Sequence, residues 1–401
     1  MKKIHYREWN IAAPRYWAIL AVLALIVALG GFSALYMEHH GHWVTGMNNQ
    51  VVWGIPHVFA IFLIVAASGA LNVASISSVF GQARYKPLAR LSGLLAITLL
   101  LGGLLILVLD LGKPGRLIVA MTTYNFTSIF AWNIYLYVGF LAVVVVYLFT
   151  MMERKARQYS HAVGVFAFIW RLALTTGTGS IFGFLVARQG YDAALMAPMF
   201  IIMSFAYGLA IYLLVLMFAC KMDGRELGDK IMQRLKNLLG IFVAAVFYFT
   251  LVYHLTNLYA TENHAYEAFI LRDGGLYSGL FWISVIGGML LPMGILFHPA
   301  LGKSQGGITA ASVLVALGGL AAMYVIVIGG QAFPMALFPD KTIIESGFFD
   351  GVNGVVASYA PTLAEFLLGL GGLAVALLVT MVAIRVMQFL PQSLADQVVD
   401  P

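Results

Sequence analysis

Residues 38–78 read EHHGHWVTGMNNQ (38–50) followed by VVWGIPHVFAIFLIVAASGALNVASISS (51–78). The first part is short, polar and rich in histidine, whereas the second part is apolar. A membrane-spanning helix needs about 20 mainly apolar residues, so the second part is long enough to cross a bilayer. A histidine-rich loop that leads directly into a membrane span predicts chemistry at one membrane surface.

Polar side chains share one face of this predicted span. His57 and Ser68 are about three helical turns apart, and Asn72 and Ser75 follow at helical spacing. Polar groups inside a bilayer are costly and are often functional, although hydroxyls and amides also serve as packing contacts between helices. We expect a proton route along this stripe and a facing stripe on the fifth span: Ser68, Asn72, Ser75, Arg171 and Thr175.

The composition indicates a membrane protein. Of the 401 residues, 61% are hydrophobic and 10% are charged, whereas soluble domains have about 25% charged residues. We therefore predict an all-α polytopic membrane protein that forms a single domain over residues 1–401. Cys220 is the one cysteine, which excludes a disulfide framework and an iron–sulfur cluster held by this chain alone.

Ten apolar segments have about the length of a span: 16–37, 51–79, 89–109, 128–151, 162–187, 195–219, 238–260, 276–297, 307–330 and 362–387. With both termini on one side, 18 of the 23 Lys and Arg residues fall on that side. The positive-inside rule then predicts cytoplasmic termini in the cytoplasmic (inner) membrane. The net charge of +6 is explained by these loops, and we expect no nucleic-acid partner.

Two adjacent motifs, LDLGKPGRL (109–117) and TTYNFTSIFAWN (122–133), follow the third span. Considered alone, they also fit a tight connection between helices. They resemble the signature of the NrfD/polysulfide-reductase-C family, in which an LGRPxR turn precedes a serine at a helix start. Arg116 and Ser128 match that pattern, whereas Lys113 stands where arginine is usual. The loop and second span are most similar to the DsrP branch of the family.

The resemblance implies two four-helix bundles plus two extra helices, and a quinone-reacting subunit of a multi-subunit oxidoreductase. It also implies a pocket for menaquinone or ubiquinone on the outer side, with no haem or iron–sulfur cluster in this chain. The expected partners are a periplasmic ferredoxin-like iron–sulfur subunit, other membrane and cytochrome subunits, and the lipid bilayer. The DsrP branch implies a role in dissimilatory sulfur metabolism, with possible proton translocation.

A quinone needs an apolar slot, hydrogen-bond donors at its carbonyls and a group that exchanges protons. Imidazole suits proton exchange near neutral pH, and Trp43 and Trp53 could form the walls of a slot. The loop histidines are also explained if they lie in a solvated loop, and His57 is also explained if it bonds a backbone carbonyl. We predict His57, His40 and His39 as proton partners and no metal site. Predicted quinone contacts are His42, Asn48, Asn49, Trp53, Tyr124, Asn125, Ser128 and Asn133.

Two other classes of function remain open from the residues. A membrane anchor with haem b could use His57 and His254, although no second pair of histidines lies deeper in the spans. A secondary transporter would also have about ten spans and polar residues inside the membrane. A further polar group, either an interfacial cap or a second site, comprises His254, Asn257, Glu262, His264 and Glu267.

Overall fold

The computed structural model describes residues 4–9, 14–335 and 356–399. Within these residues ten helices are long and apolar enough to cross a membrane, which confirms the predicted fold class. Helices are expected here because lipid offers no partner to a backbone N–H or C=O group. Spans 1 to 10 are Pro14–His40, Ile55–Ser78, Ala83–Leu109, Ile129–Met152, Arg157–Gly183, Met196–Met222, Asp229–Tyr259, Leu276–Phe297, Gln305–Ala332 and Leu363–Val386.

The spans form two four-helix bundles, as predicted. Spans 2, 3, 4 and 5 pack in a closed ring, and spans 6, 7, 8 and 9 form a second ring. Span 2 packs against spans 6 and 9, and span 5 packs against span 6, so these contacts join the two bundles. Spans 1 and 10 pack on each other, and span 10 also packs on spans 3 and 2.

Span 2 is the central helix of this arrangement. Its most apolar stretch is 94% buried inside the protein, compared with 22% for span 1. Gly69 of span 2 and Gly208 of span 6 allow the two helices to touch. A Cβ on Gly69 would overlap the Ser204 carbonyl, and one on Gly208 would overlap the backbone of Gly69 and Ala70. Small residues at such a crossing let helix backbones approach closely.

Both termini lie at one end of the bundles, which we call the termini face. The short strands Tyr6–Arg7 and Leu390–Pro391 pair antiparallel there, and the helix Asp396–Val399 follows. The guanidinium of Arg225 donates hydrogen bonds to the carbonyls of Leu390, Pro391, Arg7 and Glu8. This arginine therefore ties the two ends of the chain to the loop after span 6.

The opposite end, which we call the loop face, holds residues 41–54, 110–128, 184–195 and 260–275. It includes the short helices Leu117–Thr122 and His264–Ala268. The predicted long loop 331–361 begins and ends here, and its residues 336–355 lie outside the described residues. Spans 8 and 9 contain π-helical segments, Ile283–Leu290 and Val325–Gly329, a distortion that is frequent at functional sites.

Candidate functional site at the loop face

A histidine and a buried aspartate meet where span 2 begins. Nδ1 of His57 lies 2.7 Å from Oδ2 of Asp110, the residue that follows span 3. The Asp110 side chain is fully buried, whereas that of His57 is 19% exposed. His42, in the loop before span 2, places Nε2 3.0 Å from the Asp110 carbonyl oxygen and 3.9 Å from Oδ1. One carboxylate therefore faces two imidazole rings.

The start of span 2 sets the position of His57. Gly54 is the N-cap and Pro56 lies in the first turn, where proline costs no hydrogen bond. The Trp53 ring stacks on the His57 ring with 6.2 Å between centroids, and it also contacts the rings of Phe130 and Phe182. His57 thus has a carboxyl group against one ring nitrogen and aromatic surface beside it, and Nε2 is the nitrogen that the carboxyl group does not face.

Gln331, fully buried after the π-helical segment of span 9, fixes the loop before span 2. Its side-chain oxygen accepts hydrogen bonds from the backbone N–H groups of Val52 and Trp53. Its amide nitrogen donates to the carbonyls of Trp53 and Val327. Arg188 completes this network by donating to the carbonyls of Gln331 and Gln50. The second bundle therefore holds the approach to His57 in place.

A second buried acid, Glu365, secures the earlier part of the same loop. It forms a capping box with Thr362 at the start of span 10 and accepts a hydrogen bond from the Gly46 N–H. The Tyr359 hydroxyl donates to Glu365 and accepts from the Ile55 N–H. Burial, together with the negative charge of Glu365, raises the pKa of Tyr359 well above its ordinary value, so that its hydroxyl keeps its proton.

The predicted residues of the 38–50 loop occupy several environments. His39 and His40 are exposed at the end of span 1, and Nδ1 of His40 lies 3.0 Å from the Tyr36 carbonyl. Asn48 accepts hydrogen bonds from the N–H groups of Gln50 and Val51 and donates to the Ser358 carbonyl. Asn49 and Trp43 are exposed. Only His42 of this loop reaches the His57–Asp110 pair among the described contacts.

The predicted residues of the 122–133 motif are engaged with their own surroundings. The Tyr124 ring packs on those of Phe126 and Tyr135, and Asn125 accepts hydrogen bonds from Thr127. Asn133 donates to the carbonyls of Ile129 and Gly177 and so links spans 4 and 5. Ser128 is the N-cap of span 4, but its hydroxyl makes no capping hydrogen bond. The motif thus shapes the turn between spans 3 and 4.

The two predicted polar stripes meet at Ser68 and Thr175 inside the first bundle. Ser68 Oγ lies 2.6 Å from Thr175 Oγ1, and Thr175 also donates to the Arg171 carbonyl. Arg171 is buried, its guanidinium lies over the rings of Phe168 and Phe205, and its Nε and Nη1 have no hydrogen-bond partner among the described residues. Asn72 is buried and its Nδ2 has no hydrogen-bond partner among the described residues, and Ser75 donates back to the Leu71 carbonyl.

A second histidine–carboxylate pair lies in the second bundle, near the loop face. Nδ1 of His254 on span 7 is 2.8 Å from Oε2 of Glu267, which is fully buried. Asn257 donates to the other oxygen of Glu267, and the His254 ring contacts that of Phe281 edge-on. His264, by contrast, is exposed and bonds the Leu258 carbonyl. Over the part of the chain that the structure describes, no three His, Cys, Asp or Glu side chains are grouped to bind a metal.

The residue that sequence reasoning missed at the first site is Asp110. The acid was visible at the end of an apolar span, where an ionisable group is costly and calls for a partner, but nothing in the sequence assigned it to His57. Gln331, Glu365 and Arg188 were also missed, because a single polar residue near the end of a span has no distinctive spacing.

Comparison with known proteins agrees with this architecture. The family described as polysulphide reductase, NrfD, matches residues 43–335, which contain spans 2 to 9 and hence both four-helix bundles. The chain belongs to the NrfD family. The expected family is therefore confirmed, and spans 1 and 10 lie outside the region that defines it.

Similar NrfD proteins cover nearly the whole chain. The Hdr-like menaquinol oxidoreductase integral membrane subunit of Archaeoglobus fulgidus is 29% identical over 99% of each protein. The putative membrane subunit of a dimethyl sulfoxide reductase from Halobacterium salinarum is 26% identical over 91% of this protein and 90% of its own length. A polysulfide reductase chain from Wolinella succinogenes is 24% identical over 71% of this protein and 96% of its own length. The protein is thus similar to membrane subunits of oxidoreductases.

Proposed function

We propose that this NrfD protein is the subunit of an oxidoreductase complex that reacts with quinone or quinol, and that the reaction takes place beside His57. The observation that carries the proposal is the 2.7 Å contact between His57 and the buried Asp110. A relative of similar length is named as a menaquinol oxidoreductase subunit, which supports menaquinone as the ligand.

The chemistry requires a proton exchange at a quinone oxygen. Oxidation of a hydroquinone releases two protons and two electrons, and reduction of the quinone takes up the same number. In the oxidising direction, Nε2 of His57 accepts the two protons one after the other and passes the first on before it takes the second, while the Asp110 carboxylate stabilises the positive imidazolium. In the reducing direction, the same nitrogen returns the proton. Trp53 and Phe130 supply the apolar surface for the ring.

The electrons must pass to another subunit, because one cysteine cannot hold a cluster. We propose a ferredoxin-like iron–sulfur subunit docked on the loop face, close to His57, with other membrane and cytochrome subunits completing the complex. The excess of basic residues on the termini face supports cytoplasmic termini and a periplasmic loop face. The likeness of the loop and span 2 to the DsrP branch supports a sulfur compound as the substrate of the complex.

Protons have two proposed routes from His57. Towards the aqueous side, His42 lies against Asp110, and His39 and His40 are exposed further along the loop. Towards the membrane interior, the hydroxyls of Ser68 and Thr175 touch beside Arg171. The proposed contacts of Asn48, Asn49, Tyr124, Asn125, Ser128 and Asn133 with quinone require that a ligand rearrange the loop and turn that hold them.

The test of the function is quinol-dependent turnover per folded complex in a His57→Gln variant. Loss of a positioned proton acceptor lowers a rate by about a hundredfold or more, so we expect a fall of that size with a normal yield of complex. The matched control is His264→Gln, because this histidine is exposed on the same face and bonds the Leu258 carbonyl. Wild-type turnover in His57→Gln would place the reaction elsewhere and refute the proposal.

The docking of the partner is tested separately by chemical cross-linking of the intact complex. We expect an iron–sulfur subunit to cross-link to Lys113 or to residues of the 38–50 loop. Cross-links confined to the 80–90 or 221–237 loops, on the termini face, would contradict the proposed arrangement while leaving the assignment of His57 intact.

A further inference from the structure

A cavity lies inside the second bundle, apart from the site beside His57. Its volume is about 40 Å³, which is room for a few water molecules, so a larger ligand enters only if the side chains around it move. Side chains from spans 6, 7, 8 and 9 line it. The two π-helical segments contribute Ser284, Val285 and Met289 from span 8 and Val325 and Ile326 from span 9.

One end of the cavity is polar. His254 lines it, and because Nδ1 of this ring is held by Glu267, Nε2 is left for a ligand. The Thr250 hydroxyl, one helical turn earlier on span 7, also lines the cavity and is a buried oxygen with no hydrogen-bond partner among the described residues. A buried polar atom of this kind calls for a partner. Together these groups can donate to or accept from one ligand oxygen.

Most of the remaining lining is apolar and adaptable. Three methionines of span 6 line the cavity together with Met289 and the Phe281 ring. Methionine side chains adjust readily to the shape of a bound group and make favourable contacts with aromatic rings. A smaller cavity of about 10 Å³ adjoins along Ser284 and Met289 and reaches Tyr207, whose buried hydroxyl also lacks a partner in the described part of the protein.

The charge of the lining decides which class of head group fits. No lysine or arginine is among the described residues that line either cavity, and the buried Glu267 carboxylate lies directly behind His254. A phosphate head group would meet a negative charge with no cation to offset it. A neutral ring with hydrogen-bonding oxygens fits better. The imidazole and the unpartnered hydroxyls can bond its oxygens, and the methionines and the Phe281 edge can pack on the ring.

We infer that the cavity in the second bundle is a second binding site for a quinone or hydroquinone ring, with His254 and Thr250 at one of its oxygens. Imidazole can donate to a carbonyl or accept from a hydroxyl, so the site accommodates both redox states. This inference goes beyond the proposed function, because it concerns a different bundle and does not require that electrons leave the protein from this site.

The test is photolabelling of the intact complex in membranes with an azido-quinone, followed by mapping of the labelled peptides. We expect label in spans 6 and 8 beside the cavity as well as near Trp53. Thr250→Val removes a hydrogen bond worth about 1 kcal/mol and should lower the cavity label about fivefold. The matched control is Thr256→Val, because Thr256 lies on the same helix, is exposed and bonds only to the Val252 carbonyl in the described contacts.

A second variant, Ala322→Phe, fills the cavity from span 9 and should abolish its label. Ala322 is a buried lining residue, so the folded yield is measured, and Thr250→Val decides the matter if this variant does not fold. Label near Trp53 with none in the cavity would overturn the second site alone. Turnover with label at neither position would instead overturn the proposed quinone site. Cavity label that excess phospholipid displaces and excess quinol does not would also overturn the inference.

Discussion

Each bundle contains a histidine whose Nδ1 lies against a fully buried carboxylate. Nδ1 of His254 is hydrogen-bonded to Glu267, whereas Nδ1 of His57 lies 2.7 Å from Asp110 without the alignment of a hydrogen bond. Both pairs lie near the loop face, and both histidines contact an aromatic ring. The two pairs differ in the second side chain that lies against the carboxylate. Asp110 faces a second imidazole, that of His42, whereas the second oxygen of Glu267 accepts a hydrogen bond from Asn257.

This difference indicates that the two histidine–carboxylate pairs have different roles. An amide cannot take up a proton, so Asn257 fixes Glu267, and Glu267 in turn fixes the His254 ring. A second imidazole can take up a proton, so we propose that His42, whose Nε2 bonds the Asp110 carbonyl, is the exit from the first pair towards the exposed histidines of the loop. We therefore regard the first pair as built to transfer protons and the second as built to hold and orient a ligand.

The effect that reaches most of the molecule comes from separating the bundles. Gly208→Leu would force a side chain into the backbone of Gly69 and Ala70, and overpacking of this kind costs about 1–3 kcal/mol or more. We expect the yield of folded protein to fall several-fold, with both pairs lost together. Gly279→Leu is the control, because a Cβ there meets nothing within 4 Å. Normal yield in Gly208→Leu would show that the spans do not cross as described.

The next effect breaks the first pair alone. Asp110→Asn keeps the shape of the side chain but removes the charge that stabilises a proton on His57. Turnover with quinol should fall by about a hundredfold, with azido-quinone labelling of the second cavity unchanged. Asp192→Asn, at an exposed aspartate of the same face, serves as the control. An equal loss in both variants would mean that the effect is not specific to the pair.

A smaller effect is expected from Gln331→Leu. The substitution leaves the backbone N–H groups of Val52 and Trp53 without their acceptor, and an unsatisfied buried donor costs about 1–3 kcal/mol. The loop before span 2 should loosen, and turnover should fall by roughly tenfold. Labelling near Trp53 should weaken while labelling of the second cavity stays unchanged. A general loss of stability would weaken the label at both sites. Unchanged turnover would remove Gln331 from the positioning of His57.

The role of the inner stripe is tested with reconstituted complex in liposomes. Arg171→Met and Asn72→Leu should reduce the pH change per quinol oxidised by roughly half, since an intramembrane ionisable group commonly marks an ion pathway. Arg272→Met is the control, because this arginine is exposed and pairs with the neighbouring Asp273. Identical pH changes in all variants and in the wild type would assign the stripe to packing between spans 2 and 5.

The smallest effect is expected in the exposed loop. His40→Gln removes one imidazole from the proposed exit, but water can carry protons at an exposed position. We expect a fall in turnover of no more than about threefold, compared with the hundredfold loss in His57→Gln. A loss as large as that of His57→Gln would bring His40 into the site and would mean that ligand binding draws the end of span 1 inward.

The sequence by itself determined the ten spans, because the bilayer admits helices of one length and the apolar segments have that length. It also predicted that Ser68, Asn72 and Ser75 share a face, since an uninterrupted helical repeat would place them there. The NrfD resemblance was equally visible in the turn at 109–117. Each of these features depends on residues that are near one another in the chain.

Only the tertiary structure joined His57 to Asp110 and placed Gln331 and Glu365 beneath the loop. The helical repeat gives the faces of a span but not its rotation or depth relative to its neighbours. Those are fixed by packing, such as the crossing of Gly69 and Gly208. Asn133 shows the same limit, because a polar residue in a span can bond a neighbouring helix instead of facing a ligand, and the choice between the two depends on which carbonyl lies opposite.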